Sequence, residues 1–460
     1  MSAVESGEFA VLEGARPPAG RPNLRRSLRA MRQNAQTAFR PEDFSADIIS
    51  QRVLWRSMFV INEPSAIRHV VLDNAANYNK SEVSRRLLEP GLGRGLLTSE
   101  GETWRRHRRI MAPSFDPRSV TGYAPIMTNL TNQLLEIWDA LPEPRELDVS
   151  AAMMQLTLHI ISNAMFSSDS DEIVDSVERG VGTYQTKVRP TLPDVLHFPI
   201  WLARLLAPIP TRIFDEFDRK VDRLLTERGK MPDTEPKDLL ARLIAARDSE
   251  TGGGMTPKEV RDQVVTIFMA GHETTSLALS WTFYLLSEHA AAETKLHEEL
   301  AAVLNGRTPT HADIPDLRYT RMVIEESMRL FPPAHTFGRE PIADDEILGR
   351  RIPAGADVLI LPWLLHRKPS LWPDPERFDP ERFAPERSAA RPRFAYIPFG
   401  AGARICIGAA FAMTEAVLIL ATIAQRYRLH LVPGHPVEPQ GLITLRLRHG
   451  LRMNLERRAR

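Results

Sequence analysis

From about residue 65 to about residue 330, apolar side chains recur at spacings of three and four, the period of helices with one buried face. Breaks fall at Pro142, Pro144, Pro190, Pro208, Pro210 and the glycine run Gly252 to Gly254, so this stretch predicts a succession of helices. Ahead of it, bulky and β-branched residues crowd "VLWRSMFVI", Val53 to Ile61, before the turn-like Asn62 to Pro64, which predicts a strand opening a small sheet. The last third changes character. Pro332, Pro333, Pro353, Pro362, Pro369, Pro373, Pro375, Pro380 and Pro385 interrupt short apolar runs such as "DVLILP", a pattern of loops and short strands, and one more amphipathic helix follows Cys406. No repeat at a period of roughly 20 to 50 residues is visible, which disfavours solenoids and propellers.

The best-defined helix starts at Thr256, with Pro257 at the first helical position and Glu259 completing a capping box, and its pattern continues to about His289. About 33 helical residues span roughly 50 Å. That is several times the mean helix, so this one should cross the molecule and be buried along much of its path. Its middle holds the polar sequence "MAGHETTS".

Composition narrows the function classes. In 460 residues, 59 lysines and arginines against 58 aspartates and glutamates leave a formal charge of +1, so no global field gathers nucleic acid or an anionic membrane. Apolar residues at 43% suffice for a large core. The first forty residues carry Arg16, Arg21, Arg25 and Arg26 among prolines and polar groups, without the apolar core of a secretory signal. Unbroken apolar stretches such as Ala416 to Ala421 fall short of a transmembrane anchor. These features predict a cytoplasmic chain: a solvated N-terminal arm over residues 1–40, then a single catalytic domain over 41–460. A single cysteine, Cys406, excludes any intrachain disulfide, cysteine-rich zinc site or cysteine-held iron–sulfur cluster.

Cys406 sits in "FGAGARICIG", Phe399 to Gly408, just ahead of the last helix. Gly400, Gly402 and Gly408 remove side chains where the backbone must turn sharply or approach a neighbour. A helix starting beyond the sulfur aims unpaired N–H groups and its positive dipole end at it, which favours a thiolate. Such a thiolate is a nucleophile or a metal ligand. A nucleophile needs a nearby base, and the local sequence supplies none. A haem ligand needs an apolar bay, donors for the sulfur and cations for the propionates, and Phe399, the glycine backbone and Arg404 match those needs. The segment resembles the haem-binding loop of the cytochrome P-450 superfamily, phenylalanine-glycine-x-glycine-x-arginine-x-cysteine-x-glycine, at every fixed position.

Other segments resemble the same superfamily in the same order, together spanning most of the chain. In "EESMRLFPP", Glu326 and Arg329 share a helix face, and the resemblance makes them a buried ion pair completed by Arg382 of "FDPERF". A second "PERF" carries Arg377, but only the later copy has a phenylalanine, Phe378, two residues before its proline. In "GETWRRHRR", Trp104 and Arg108 resemble the pair that reaches a haem propionate, and Arg339 of "HTFGRE" resembles another propionate partner. "AGHETT", Ala270 to Thr275, resembles the oxygen-binding segment. Ala270 and Thr274 share a face. Gly271 costs about 1 kcal/mol against alanine within a helix, and Thr274 can bond back to a carbonyl and bend it. The resemblance makes Thr274 a donor to oxygen and Glu273 its link to solvent protons. His272 and Glu273 do not begin a zinc-protease HExxH, because position 276 is Ser276, and His272 reads as a packed or solvated histidine. "GLGRGL" lacks the third glycine of a dinucleotide fingerprint, having Leu96 there.

The resemblance implies a mainly α fold with a smaller β-rich part, holding haem b between the long distal helix and the loop of Cys406, its axial thiolate. The implied reaction inserts one atom of O2 into an organic substrate and releases the other as water, consuming two electrons and two protons. With no flavin or iron–sulfur motif in the chain, a ferredoxin with its own reductase would supply electrons, steered by basic residues such as Arg105, Arg106 and Arg109. The substrate pocket would draw on the region after residue 80, residues 180–215, the distal helix, residues 334–338 and the turn from Gln440 to Thr444. "PTLPDVLHFPIWLARLLAP" suggests a small hydrophobic substrate such as a fatty acid, terpenoid or steroid. A monomer is expected. Two further readings stay open: a peroxide-using or isomerising haem-thiolate protein, and a haem-thiolate sensor or carrier without turnover.

Overall fold

A computed structural model describes residues 34–167, 184, 188, 190–206, 208–209, 215–228 and 238–458. Arg16, Arg21, Arg25 and Arg26, and much of the 180–215 segment, lie outside the described residues. Five helices position the site: α1 (Gly101–Met111), α2 (Val149–Phe166), α3 (Pro257–Glu288), α4 (Arg318–Leu330) and α5 (Ala409–Arg426).

The long helix α3 begins where its capping residues place it. Thr256 Oγ1 accepts from the Glu259 amide at 3.2 Å, and the Glu259 carboxylate accepts from the Thr256 amide at 2.7 Å. Its 32 residues span about 48 Å. Phe268, Trp281 and Leu285 bury its faces against α2, α4 and α5, in the larger core cluster. Trp281 stacks on Phe331 at 4.0 Å between ring centres. Both α2 and α5 are long and apolar enough to cross a membrane, yet most of each lies buried in this core.

Strands β1 (Ile48–Val53), β2 (Arg56–Ile61), β3 (Tyr78–Lys80), β4 (Phe337–Pro341) and β5 (Asp357–Ile360) form one sheet in the order β1-β2-β5-β4-β3. Only β2 and β5 run parallel. A second core cluster, with Ile61, Ile67, Val358 and Ile360, lies against it. The single strand expected over Val53 to Ile61 is corrected to the end of β1, a two-residue turn and β2. Leu54 adopts φ +56°, and Leu54 and Trp55 stand exposed at the hairpin tip. Their bulk imitates a strand, and no glycine or asparagine announces the turn.

A two-stranded hairpin, β6 (Pro439–Gly441) and β7 (Leu445–Leu447), packs on α3. The end of the expected N-terminal arm is not solvated. Asn34 and Gln36 are buried, Asn34 Nδ2 donating to the Pro439 carbonyl at 2.8 Å and Asn34 Oδ1 accepting from the Gly441 amide at 2.9 Å.

Candidate active site

The loop before α5 is shaped by its glycines. Gly400 and Gly402 both adopt φ +71°, and a Cβ on Gly402 would stand 1.9 Å from the Val71 carbonyl oxygen. The Cys406 amide donates to the Phe399 carbonyl at 2.9 Å, closing the loop on itself. The Gly408 amide donates to the cysteine sulfur, as a helix starting there allows. The expected lowering of the thiol pKa does not occur in the protein alone. Burial pushes it up, outweighing the Gly408 amide and the nearby Arg108 cation. The Cys406 side chain is nonetheless exposed.

Behind the loop, Glu326 and Arg329 are fully buried and bonded twice, at 2.7 and 2.8 Å. Arg382 brings its Nε to 3.4 Å from Glu326 Oε1, and the Asp379 amide donates to the same oxygen at 2.9 Å. Arg377 offers this network only its carbonyl, which accepts from Arg329 Nη2 at 3.0 Å. Arg329 Nη1 donates to the carbonyls of His366, at 2.8 Å, and Pro375, at 2.7 Å. His366, absent from the sequence reading, is buried as well. Burial and the cations Arg329 and Arg367 hold its pKa far below the ordinary range, so its ring is neutral and its Nε2 accepts from the Ile397 amide at 2.9 Å.

At the edge where β3 and β4 meet the loop, positive charge gathers. Lys80 and Arg339 stand opposite one another across the antiparallel pair. Like charges so placed repel. Lys80 Nζ donates to the carbonyls of Leu96 and Ser99 at 2.8 and 3.0 Å, and burial, then Arg404, pushes its pKa down to about 7. Burial, then Arg404, pushes Arg339 down to about 10. The Arg404 guanidinium lies 4.3 Å from the centre of the Trp104 ring and pairs with Glu100, while its Nη1 is buried with no partner. Arg108 Nη1 donates to the Ile405 carbonyl at 2.7 Å. Lys80, Arg108, Arg339 and Arg404 thus gather at this edge, where Glu100 pairs with Arg404 and accepts from the Lys80 amide. Buried cations in such excess are costly without an anion. The carboxylates of a haem fit that requirement, and the open cysteine fits its iron. Lys80 and Glu100 escaped the sequence reading, because a lysine in "NYNKSE" carries no pattern.

On α3, most residues are buried, but Ala270 is exposed and Gly271 and Thr274 are half-exposed in mid-helix. The long helix is therefore open to solvent at these three positions, an opening in its middle. Thr274 Oγ1 bonds back to the Ala270 carbonyl at 2.8 Å, as expected of a mid-helix threonine. A Cβ on Gly271 would meet Ile161 at an ordinary 3.6 Å. Glu273 does not share the opening with Thr274. It is buried, and its Oε1 accepts from Thr444 Oγ1 at 2.9 Å and Arg446 Nε at 2.6 Å, clamping the β6–β7 hairpin to α3. His272 is packed, with Nδ1 2.5 Å from the Phe268 carbonyl oxygen.

Of the basic residues on α1, Arg106 pairs with Glu259 at 2.8 Å and Arg109 with Asp248 at 2.8 Å. Arg105 remains exposed beside Glu102.

The cytochrome P450 family model matches residues 26–449. The chain is 37% identical over 412 residues to cyclooctatin synthase of Streptomyces melanosporofaciens, covering 87% of this chain and 86% of that one. It is 33% identical over 422 residues to pentalenene oxygenase of Streptomyces avermitilis, covering 90% of each. It is also 33% identical over 369 residues to a bifunctional cytochrome P450/NADPH–P450 reductase of Bacillus subtilis, covering 77% of this chain and 34% of that one. The chain belongs to the cytochrome P450 family. It is an oxidoreductase, a haem-thiolate monooxygenase that inserts one oxygen atom from O2 into a hydrophobic organic substrate and draws electrons from a redox partner.

Proposed function

We propose that the Cys406 loop and α3 would hold haem b, Cys406 supplying the thiolate to its iron, and that the enzyme hydroxylates a terpenoid-like substrate. The buried cation excess around Arg404 and Arg339 carries this reading. When bound, the haem supplies the oxygen-activating redox chemistry, favoured by electron donation from a thiolate.

The chain's own residues hold and orient. Gly408 N–H holds the sulfur, Phe399 walls the bay, and Gly400 and Gly402 let the backbone pass. Trp104, Arg108, Arg339, Arg404 and Lys80 would hold the propionates, whose charge offsets the excess of cations at this edge. Glu326, Arg329 and Arg382 keep the loop in register. Ala270 and Gly271 leave room on α3, and Thr274 presents its hydroxyl to the oxygen side. Glu273 would link Thr274 to solvent protons only when its carboxylate is released from Arg446 and Thr444, so that ion pair must open during turnover.

The apolar residues from Pro190 to Leu206 support a hydrophobic substrate, and relatives named for cyclooctatin and pentalenene favour the terpenoid class. The electron donor is a separate ferredoxin with its reductase, met at the face that carries Arg105. The enzyme works as a cytoplasmic monomer. Turnover with ferredoxin, reductase, NAD(P)H and a panel of cyclic terpenes should yield singly oxygenated products. Ligand binding with no oxygenated product would support a sensor or carrier instead.

A further inference from the structure

His197 follows the short helix Leu192–Val195, and the chain there lies against the sheet, the Phe198 ring meeting Trp55 edge-on at 5.6 Å between ring centres. His197 Nε2 lies 3.1 Å from Arg56 Nη2 and 3.8 Å from Asp357 Oδ1. An arginine only donates, so Nε2 accepts and turns its lone pair toward this cluster. Asp357 is 6% exposed. Its Oδ2 accepts from Arg56 Nη2 at 3.2 Å, but its Oδ1 is buried with no partner, and so is Glu340 Oε2. One donor atom from each of His197, Glu340 and Asp357 lies within 4.8 Å of the other two. Extending the β4–β5 register, in which Arg339 faces Val358, sets Glu340 opposite Asp357. Like charges so placed repel, and Arg56 offsets only one of the two. Nε2 and Oδ1 therefore face one another as two acceptors with no hydrogen between them, a costly arrangement when buried.

We propose that His197, Glu340 and Asp357 form a binding site for zinc, which when filled fastens residues 192–206 to the edge of the sheet where β4 and β5 meet. One imidazole and two carboxylates are a zinc donor set, leaving a fourth position for water. Tetrahedral bonds of about 2.0–2.2 Å space their donors by roughly 3.3–3.6 Å, so the 3.8 Å between Nε2 and Oδ1 closes with a small movement. Magnesium and calcium prefer all-oxygen sites, so the imidazole selects against them. Arg56 holds the place of the cation until the ion enters. It must then swing off Nε2, and it competes with zinc for the same charge. The site depends on neither the haem nor the substrate assigned above.

The test is a calorimetric titration of the full haem-loaded chain with zinc, magnesium and calcium salts, joined to amide hydrogen exchange over residues 192–206. Zinc should bind at a site that His197→Ala and Asp357→Asn each weaken at least about tenfold, since even losing an outer partner of a metal ligand costs that much. Arg56→Met should bind zinc more tightly than wild type, because the competing cation is gone. Zinc should slow exchange over residues 192–206 in wild type and in Arg56→Met, and leave it unchanged in His197→Ala. No zinc bound by wild type, binding untouched by either ligand variant, Arg56→Met no tighter than wild type, or a preference for magnesium or calcium would overturn the proposal. Should Asp357→Asn fail to fold, His197→Ala, which lies outside the sheet, decides together with Arg56→Met. A colourless preparation would sink the haem reading alone. The same titrations, with Cys406→Ser added to every chain to remove the free thiol, would still decide on zinc.

Discussion

His366 Nε2 accepts the Ile397 amide at 2.9 Å while its own carbonyl accepts Arg329 Nη1 at 2.8 Å, so one buried residue joins the Glu326–Arg329 ion pair to the approach of the cysteine loop. Removing one charge from this network leaves the other buried alone. Glu326→Gln should cost about 3–5 kcal/mol, read as a lower denaturation midpoint, and should reduce haem retention. A change under about 1 kcal/mol, the worth of an exposed pair, would show that the pair is not buried in solution.

What the sequence disclosed here follows its physics. Local signals were legible: the Thr256–Glu259 cap set the start of α3, and the phenylalanine rule separated Arg382 from Arg377, whose guanidinium does not reach Glu326. Long-range pairings were not. His366, Lys80 and Glu100 gain their places from segments distant in the chain, and nothing in their neighbours marks them. The Glu273–Arg446 pair likewise depends on the β6–β7 hairpin folding back onto α3. The Leu54–Trp55 turn was hidden by exposed apolar side chains in a place where polar turn residues are usual.

Lys80 gives a pH test with a definite sign. Its folded pKa, about 7 in the protein alone, lies below its unfolded value near 10.5, so the unfolded chain binds more protons between those limits. Stability of haem-free protein should therefore rise with pH across that window, and Lys80→Met should flatten the rise. Haem loading should flatten it too, because an anion beside Lys80 restores its charge. Equal pH slopes for haem-free and haem-loaded protein would place the propionates elsewhere.

Two glycines should respond oppositely to alanine. Gly402→Ala puts a Cβ against the Val71 carbonyl at a left-handed φ, so a loss of at least about 1–3 kcal/mol is expected from the backbone alone. Gly271→Ala meets only ordinary contact with Ile161, so a gain of up to about 1 kcal/mol is expected. Thermal denaturation of the two variants reads both signs.

Thr274→Ala should keep haem and substrate binding while sending reducing equivalents to peroxide, measured as peroxide formed per NAD(P)H consumed. Arg446→Ala should strand the Glu273 carboxylate in the core, lowering Tm as well as turnover. Tight coupling in Thr274→Ala would remove that hydroxyl from proton delivery.

The most direct measurement is the ferrous-carbonyl difference spectrum of the purified chain beside Cys406→Ser. Wild type should show the red-shifted Soret band of a thiolate-ligated haem and the variant should lose it. A wild-type preparation that stays colourless after reconstitution with hemin, or a variant with an unchanged band, would contradict ligation by Cys406.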